Sequence, residues 1–225
     1  TLDTVAKGLD FDLTANPTKN WRLFASVGRQ RTVFSNAGAK LAAWLDARLP
    51  VWQSYPSWTT ALMPTGNLLI KDSFQTDVYN VYYYTLALKN GSLVDNQREW
   101  RANFTTNYRF TTGLLEGWTM GGGARYRTRA RIGYPLMMVK ASNGQTVSTP
   151  DFEHPYYTAD EITWDAMLRY RFKLHGRMTW DLQLNVRNVF DANRVAGATT
   201  LSTGVGVRYF SQEPRTATLE TSLGF

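Results

Sequence analysis

Arg125, Arg127, Arg129 and Arg131 recur at every second position, a spacing that on an extended strand turns all four guanidinium groups to one face. Arg101, Arg109, Arg169, Arg171 and Arg187 fall on comparable polar positions of other segments. Guanidinium groups pair bidentately with carboxylate, phosphate or catecholate oxygens, so this ladder suits an anionic ligand, Arg129 and Arg131 meeting it first and Arg125 and Arg127 lying deeper. The alternative use is structural, with the same arginines paired to Asp165, Asp181 and Glu220. A second set is aromatic: Trp44, Trp52, Tyr55 and Trp58 in one irregular stretch, Tyr134, Tyr156 and Tyr157 in another. Such rings stack on a sugar or an aromatic ligand, or else pack loops together, an arrangement that Pro50, Pro56 and Pro64 would stiffen.

Other chemistries find no support. The chain of 225 residues has no cysteine, and its two histidines, His154 and His175, lack the spacing of a metal site. No Ser/His/Asp arrangement appears, and Gly121-Gly122-Gly123 lies inside a strand pattern with no helix after it, unlike a phosphate loop. Those glycines mark close backbone approach or a bend instead. A net charge of +7 in a soluble protein would suggest nucleic acid, but these arginines repeat at strand period opposite apolar residues, and no nucleic-acid module is present. No catalytic step, cofactor, metal or nucleic acid is expected.

The elements that carry these residues are strands. Trp164, Ala166, Leu168, Tyr170, Phe172 and Leu174 alternate with Thr163, Asp165, Met167, Arg169, Arg171 and Lys173. Met178 to Arg187, Trp100 to Phe110, Trp118 to Arg129 and Gly8 to Ala15 repeat the pattern; Trp21 to Phe34 does so more weakly, blurred by Phe24 and by Arg29 to Arg31. The closing stretch Pro214 to Phe225 alternates Ala217, Leu219, Thr221, Leu223 and Phe225 with polar or small residues. Period two over about ten residues is the mark of a tilted membrane-crossing strand. The mean hydropathy of −0.36 fits, because every second residue of such a strand is polar. Sandwich strands are shorter, roughly 5–6 residues, which weighs against a soluble β-sandwich binding module.

Connections alternate in length. Asn16 to Asn20, Thr111 to Gly117 and His175 to Arg177 are brief; Ser35 to Arg98, Ala130 to Ile162 and Asp191 to Glu213 are long. In outer-membrane barrels the short turns are periplasmic and the long loops extracellular. Within the first long loop, Leu41, Leu45 and Leu49 predict a helix over 37–49, while 74–89 is open between helix and strand: Val78, Tyr82 and Leu86 have helical spacing, and VYYYT favours a strand. About seven strands result. Single-chain barrels have an even number, and Thr1 enters in mid-pattern, so the chain is expected to be the C-terminal portion of a larger transmembrane antiparallel β-barrel.

Three elements carry a resemblance. Arg98 to Pro135 resembles the penultimate strand pairs of TonB-dependent outer-membrane receptors, NVRNVFDANR (Asn185 to Arg194) resembles their N-L-F-D element, and PRTATLETSLGF resembles their closing strand. The resemblance implies an all-β barrel of about 22 strands with an N-terminal plug domain that, like the earlier strands, is absent from residues 1–225. It implies import of a ferric siderophore, cobalamin or glycan across the bacterial outer membrane, with energy from the TonB–ExbB–ExbD complex acting through that plug. The ladder would then face ligand or plug. Leu223 and Phe225 would form the signal read by the barrel-assembly machinery, with outer-membrane lipid around the wall. An outer-membrane barrel enzyme is the rival of like architecture, though no nucleophile and base stand at one rim.

Overall fold

The computed structural model describes residues 2–64, 68–141, 144, 146–174, 176, 178–192 and 195–224. Seven strands form one antiparallel sheet in chain order: β1 (Asp3–Thr18), β2 (Trp21–Ser35), β3 (Trp100–Arg109), β4 (Trp118–Arg127), β5 (Glu161–Lys173), β6 (Thr179–Arg187) and β7 (Thr216–Gly224). All seven match the alternating segments, and β1 runs past its expected ends because pairing with β2 continues from Asp3↔Ser35 to Thr18↔Trp21. The ladder shifts register between Ala15 and Thr18, where Pro17 has no N–H to contribute. The sheet is the wall of a barrel, unclosed within these residues.

Register sorts the side chains. Trp21, Tyr108, Met120, Leu168, Leu184 and Leu219 form one row across β2 to β7, so they share the outward, apolar face. The partly exposed polar atoms on that face are satisfied locally: Trp21 Nε1 donates to Thr106 Oγ1 (2.9 Å) and Trp180 Nε1 to Thr221 Oγ1 (2.6 Å). A belt of rings follows the short-turn end, with centroids 4.8 Å apart for Trp118 and Tyr170, 5.4 Å for Tyr170 and Phe172, and 5.2 Å for Phe172 and Trp180. Outward residues bounding the band are eight apart on each of β3, β4 and β5: Trp100 and Tyr108, Trp118 and Tyr126, Trp164 and Phe172. At roughly 3.4 Å per residue that is roughly 27 Å along the strand, the scale of an outer-membrane apolar band with an aromatic girdle at each edge. The blurred alternation of β2 resolves here: Phe24 faces inward between Thr14 and Thr105, and Arg29 faces outward beside Trp100.

Buried apolar residues lie elsewhere. Ala37, Leu45, Ala130, Ile132, Ala141 and Ala198 all belong to the long connections, since the wall turns its apolar face to lipid and keeps none for a core. Helix α1 (Ala39–Gln53) extends the expected 37–49 by carrying Pro50 in its last turn. The undecided stretch is helical: Ile70–Phe74 continues through π-helical turns at Gln75–Tyr79 and Tyr82–Leu86 to Ala87–Lys89. Strand propensity in VYYYT depends on joining a ladder, and the segment joins none: the strand packed against it, Thr146–Pro150, is already paired with Leu136–Lys140. Hairpins Leu136–Lys140 with Thr146–Pro150, and Val195–Thr200 with Gly206–Ser211, fill the other two loops. The loops are tied to one another: Thr149 Oγ1, fully buried, donates to the Tyr84 carbonyl (2.7 Å), and Tyr156 OH to the Ser202 carbonyl (3.1 Å).

Leu168 is midway between Trp164 and Phe172 on the outward face of β5. Leu168→Arg is expected to cost about 2–4 kcal/mol of folding free energy in bilayers, the penalty of a cation near the midplane. Arg169→Leu, on the opposite face, should leave insertion close to wild type. Denaturant titrations in lipid vesicles compare the two, and the reverse order would refute the assignment of faces.

Candidate functional site

The inward face is a lattice of charges, many of them paired within the wall. Asp10, Gly28, Arg101, Arg127 and Glu161 form one row. Gly28 leaves room there: a Cβ would crowd Asp10 Oδ1 and stand 3.0 Å from Arg101 Nε, and its absence lets Arg101 reach Asp10 (3.5 Å) across the intervening strand. Glu161 receives Arg127 (2.7 Å) and also Arg98. Burial pulls the Arg98 guanidinium below its usual pKa, with Glu161 opposing that shift. Arg125 pairs with Asp165 (3.1 Å), while Arg169 (3.0 Å) and Arg171 (2.8 Å) share Asp181. Glu220 takes the Asn185 amide (3.3 Å) rather than an arginine. Most of these groups remain accessible, so each pair contributes only about 0–1 kcal/mol.

The ladder is shorter than its sequence spacing suggests. β4 ends at Arg127, and beyond it the two upper arginines leave the inward row. Arg129 lays its guanidinium 4.4 Å from the centroid of Tyr157, and its N–H donates to Asp160 Oδ1 (2.6 Å). Arg131 is buried in the loops with 4% exposure; its Nε donates to Asp95 (2.9 Å) and its plane covers Tyr134 at 4.6 Å. Burial also raises the Tyr134 phenol pKa, partly offset by Arg131. Strand pairing stops at Arg127↔Glu161, two rungs short of a four-rung ladder, and Asp95, thirty-six residues upstream, could not be matched to Arg131 from spacing.

Two hollows remain. At Gly121 and Gly123 the inward face of β4 has no side chain, leaving a concavity of about 680 Å³ edged by Asn107, Asp165, Met167, Asn185, Arg187 and Glu220. A Cβ at Gly121 would meet Met167 Cε at 3.0 Å and the Thr106 carbonyl at 3.1 Å, the close approach expected of that glycine run. Arg187 has no ion pair among the described residues. The second hollow, about 410 Å³, is apolar and lies in the first loop among Trp52, Tyr55, Trp58, Met63, Ile70 and Phe74. Phe74 holds it open, edge-to-face with Trp52 (5.7 Å) and Trp58 (5.4 Å), and Trp44 braces Trp52 (5.4 Å). Tyr134 and Tyr156 do not join it. Tyr134 packs on Phe152 at 4.8 Å, and Tyr156 serves the contact between the second and third loops. Phe74 escaped sequence reading because it sits on a different helical segment from the two tryptophans.

The Asn188-Val189-Phe190-Asp191 element is a brace for the third loop. Asn188 and Asp191 both adopt left-handed backbone (φ 50° and 49°), which Asn and Asp tolerate best among residues with a side chain. Buried Asn188 donates its amide to the Glu213 carbonyl (2.9 Å), accepts the Ala192 N–H (3.0 Å), and its own N–H reaches Asp165 (3.0 Å). Asp191 accepts the Arg215 N–H (2.9 Å), so both ends of the loop close on one motif.

Residues 3–189 match the family TonB dependent receptor-like, beta-barrel. The chain belongs to this family. As a member of the TonB-dependent receptors it resides in the outer membrane, and the relatives it resembles are receptors rather than enzymes. It is 34% identical over 142 residues to the catecholate siderophore receptor Fiu of Escherichia coli (strain K12), a match covering 61% of this chain and 16% of that protein. The chain thus spans about a sixth of the length of that relative. Among solved structures, Pseudomonas aeruginosa FpvA bound to heterologous pyoverdines superposes with a TM-score of 0.50 at 16% identity, over 97% of this chain and 19% of that one. The siderophore receptor PiuA from Acinetobacter baumannii gives 0.49 at 15% identity, over 98% and 22%. At such identity the structural likeness is one of fold.

The receptor's second loop carries a titrating pair: His154 Nδ1 lies 2.8 Å from Asp151 Oδ2. The hydrogen bond to Asp151 raises the His154 pKa and lowers that of Asp151. The His contribution is therefore full below the ordinary histidine pKa and disappears as pH rises through the raised value; that of Asp151 is lost only in acid, through its lowered value. An NMR titration should place His154 above about 6.5, and Asp151→Asn should remove the elevation. An unelevated wild-type value would refute the pairing.

Proposed function

We propose that these seven strands are the C-terminal portion of an outer-membrane active-transport receptor, whose plug and earlier strands lie outside residues 1–225. Its sheet presents two unpaired edges, at β1 and β7, which lipid does not tolerate and further strands of the same barrel would cover. The receptor imports a scarce ligand without a catalytic step, energised by the TonB–ExbB–ExbD complex through the plug. The observation that carries the ligand reading is the aromatic hollow of Trp52, Trp58 and Phe74 in the loop layer, apolar with Asp77 and Ser73 on its margin. It suits a ring-bearing ferric chelate, and the name of the catecholate siderophore receptor at 34% identity supports that class over cobalamin or glycan. Arg125, Arg127, Arg169 and Arg171 are occupied by carboxylates of the wall and serve the lumen lining.

The intact receptor, titrated with iron(III) 2,3-dihydroxybenzoylserine and followed by tryptophan fluorescence, tests this. Trp58→Ala and Trp52→Ala are each expected to weaken binding about tenfold, from roughly 1–1.5 kcal/mol per lost ring contact, with insertion unchanged. Unaltered affinity in both, with loss in Arg125→Gln/Arg127→Gln, would move the ligand to the lumen.

Assembly belongs to the same reading. Leu223 stands opposite Trp180 on the outward face of β7, and Phe225, outside the described residues, falls two positions on in the same alternation. The barrel-assembly machinery reads this strand end, so deleting Phe225 should reduce heat-modifiable barrel in outer-membrane fractions while synthesis is unchanged; undiminished barrel would refute it.

A further inference from the structure

The outer aromatic girdle breaks off on two strands. Trp164 on β5, Tyr126 on β4 and Trp100 on β3 mark the extracellular edge of the apolar band, each eight residues from the ring at the other edge. On β2 the residue eight positions from Trp21 is Arg29, opposite Trp100. Arg31 follows on the same outward face, and its partner on β1 is Lys7, directly opposite in the antiparallel ladder. Leu9, Phe11 and Leu13 lie below Lys7 on that face of β1, and Val27 lies below Arg29 on β2. Three cations thus take the place of rings where the wall leaves the hydrocarbon layer.

Their electrostatics are unbalanced. Arg29 pairs with Glu99 (2.6 Å) and rests over Trp100 at 5.3 Å. Lys7 and Arg31 are exposed and have no ion pair or side-chain hydrogen bond among the described residues. Like charges directly opposite on neighbouring strands repel, and this pair has no carboxylate between them. Beside Arg31, a hollow of about 340 Å³ is edged by Glu99, Trp100, Arg129, Tyr157 and Asp160, with Arg131, itself paired with Asp95, at its loop side. Lys7, Arg29, Arg31 and Arg129 set four positive charges against the two carboxylates Glu99 and Asp160. A dianionic phosphate closes that gap. At this height, on the lipid side, the phosphates at hand are those of the outer-leaflet glycolipid, whose chains would lie along Leu9 and Phe11.

We propose that Lys7, Arg29 and Arg31 form a binding site on the outside of the wall for the phosphorylated sugar headgroup of an outer-leaflet lipid. Arg29 and Trp100 hold the headgroup edge, and Lys7 and Arg31 clamp a phosphate from two strands. The site is separate from the loop hollow that takes the imported ligand, and its occupancy is independent of transport.

The test uses the intact receptor in non-ionic detergent, stripped of lipid and then offered diphosphoryl lipid A or its dephosphorylated form, with retained lipid counted by native mass spectrometry. Wild type should retain the diphosphoryl form preferentially, and less of it as sodium chloride rises. Lys7→Gln/Arg31→Gln should lower retention about twenty-five-fold, from two contacts each worth roughly fivefold near a membrane surface. Arg22→Gln/Arg109→Gln removes the same charge from the inward face and should retain lipid as wild type does. Equal retention of both lipids by wild type, or equal loss in both variants, overturns the site. Displacement by an equal concentration of inorganic phosphate would make it a free-anion site and overturns the lipid assignment. If the Lys7/Arg31 variant fails to reach the membrane, the wild-type preference and its salt dependence decide alone.

Discussion

Interstrand backbone hydrogen bonding is the constraint on which this molecule rests. In hydrocarbon no water is available to an N–H or C=O, so each crossing segment must be paired along its whole membrane length. The seven strands pair with their chain neighbours in almost unbroken register. That register then fixes which side chains form rows, and a slip of one residue would exchange lipid-facing leucines for lumenal arginines. The eight-residue apolar band, the rings at its edges and the inward charges are all consequences of the same ladder.

With the apolar face committed to lipid, the chain's compact packing moves to the loops. Ala37, Leu45, Ile132 and Ala198 are buried there, and Thr149, Tyr156, Asn188 and Arg131 fasten the three loops to each other or to the wall. The inward face behaves differently. Its charges find partners on adjacent strands at modest energetic gain, and glycines at 28, 121 and 123 make room where two long side chains must meet or where a trough is left. A wall of this kind is smooth to lipid and accommodating within, whereas the loops present a shaped, rigid surface above it.

Local spacing made the wall legible. Alternation in Trp164 to Lys173 or Thr179 to Arg187 needs no partner to be read, because facing lipid or water is a property of each residue in turn. The helix at Leu41, Leu45 and Leu49 was readable on the same ground. The stretch 74–89 was not, since strand propensity in VYYYT counts only within a ladder, and the strand beside it is paired elsewhere. Trp52 and Trp58 could be named as ring candidates from sequence, but their common neighbour Phe74 could not. The inward orientation of Arg125 and Arg127 was likewise readable, and the departure of Arg129 and Arg131 from the row was not, because it depends on where β4 stops pairing.

The sequence by itself determined the strands, their two faces, the sidedness implied by short and long connections, and membership of a receptor family, for each of these is carried by residues close together in the chain. The tertiary structure alone decided the partners: Arg131 with Asp95, Arg98 and Arg127 on one Glu161, Asn188 closing the third loop on Glu213, and Lys7 facing Arg31 with nothing between. Those pairings join residues separated by long loops, and which cation meets which carboxylate is settled by strand register and loop packing acting together, neither of which is written in the spacing of any one segment.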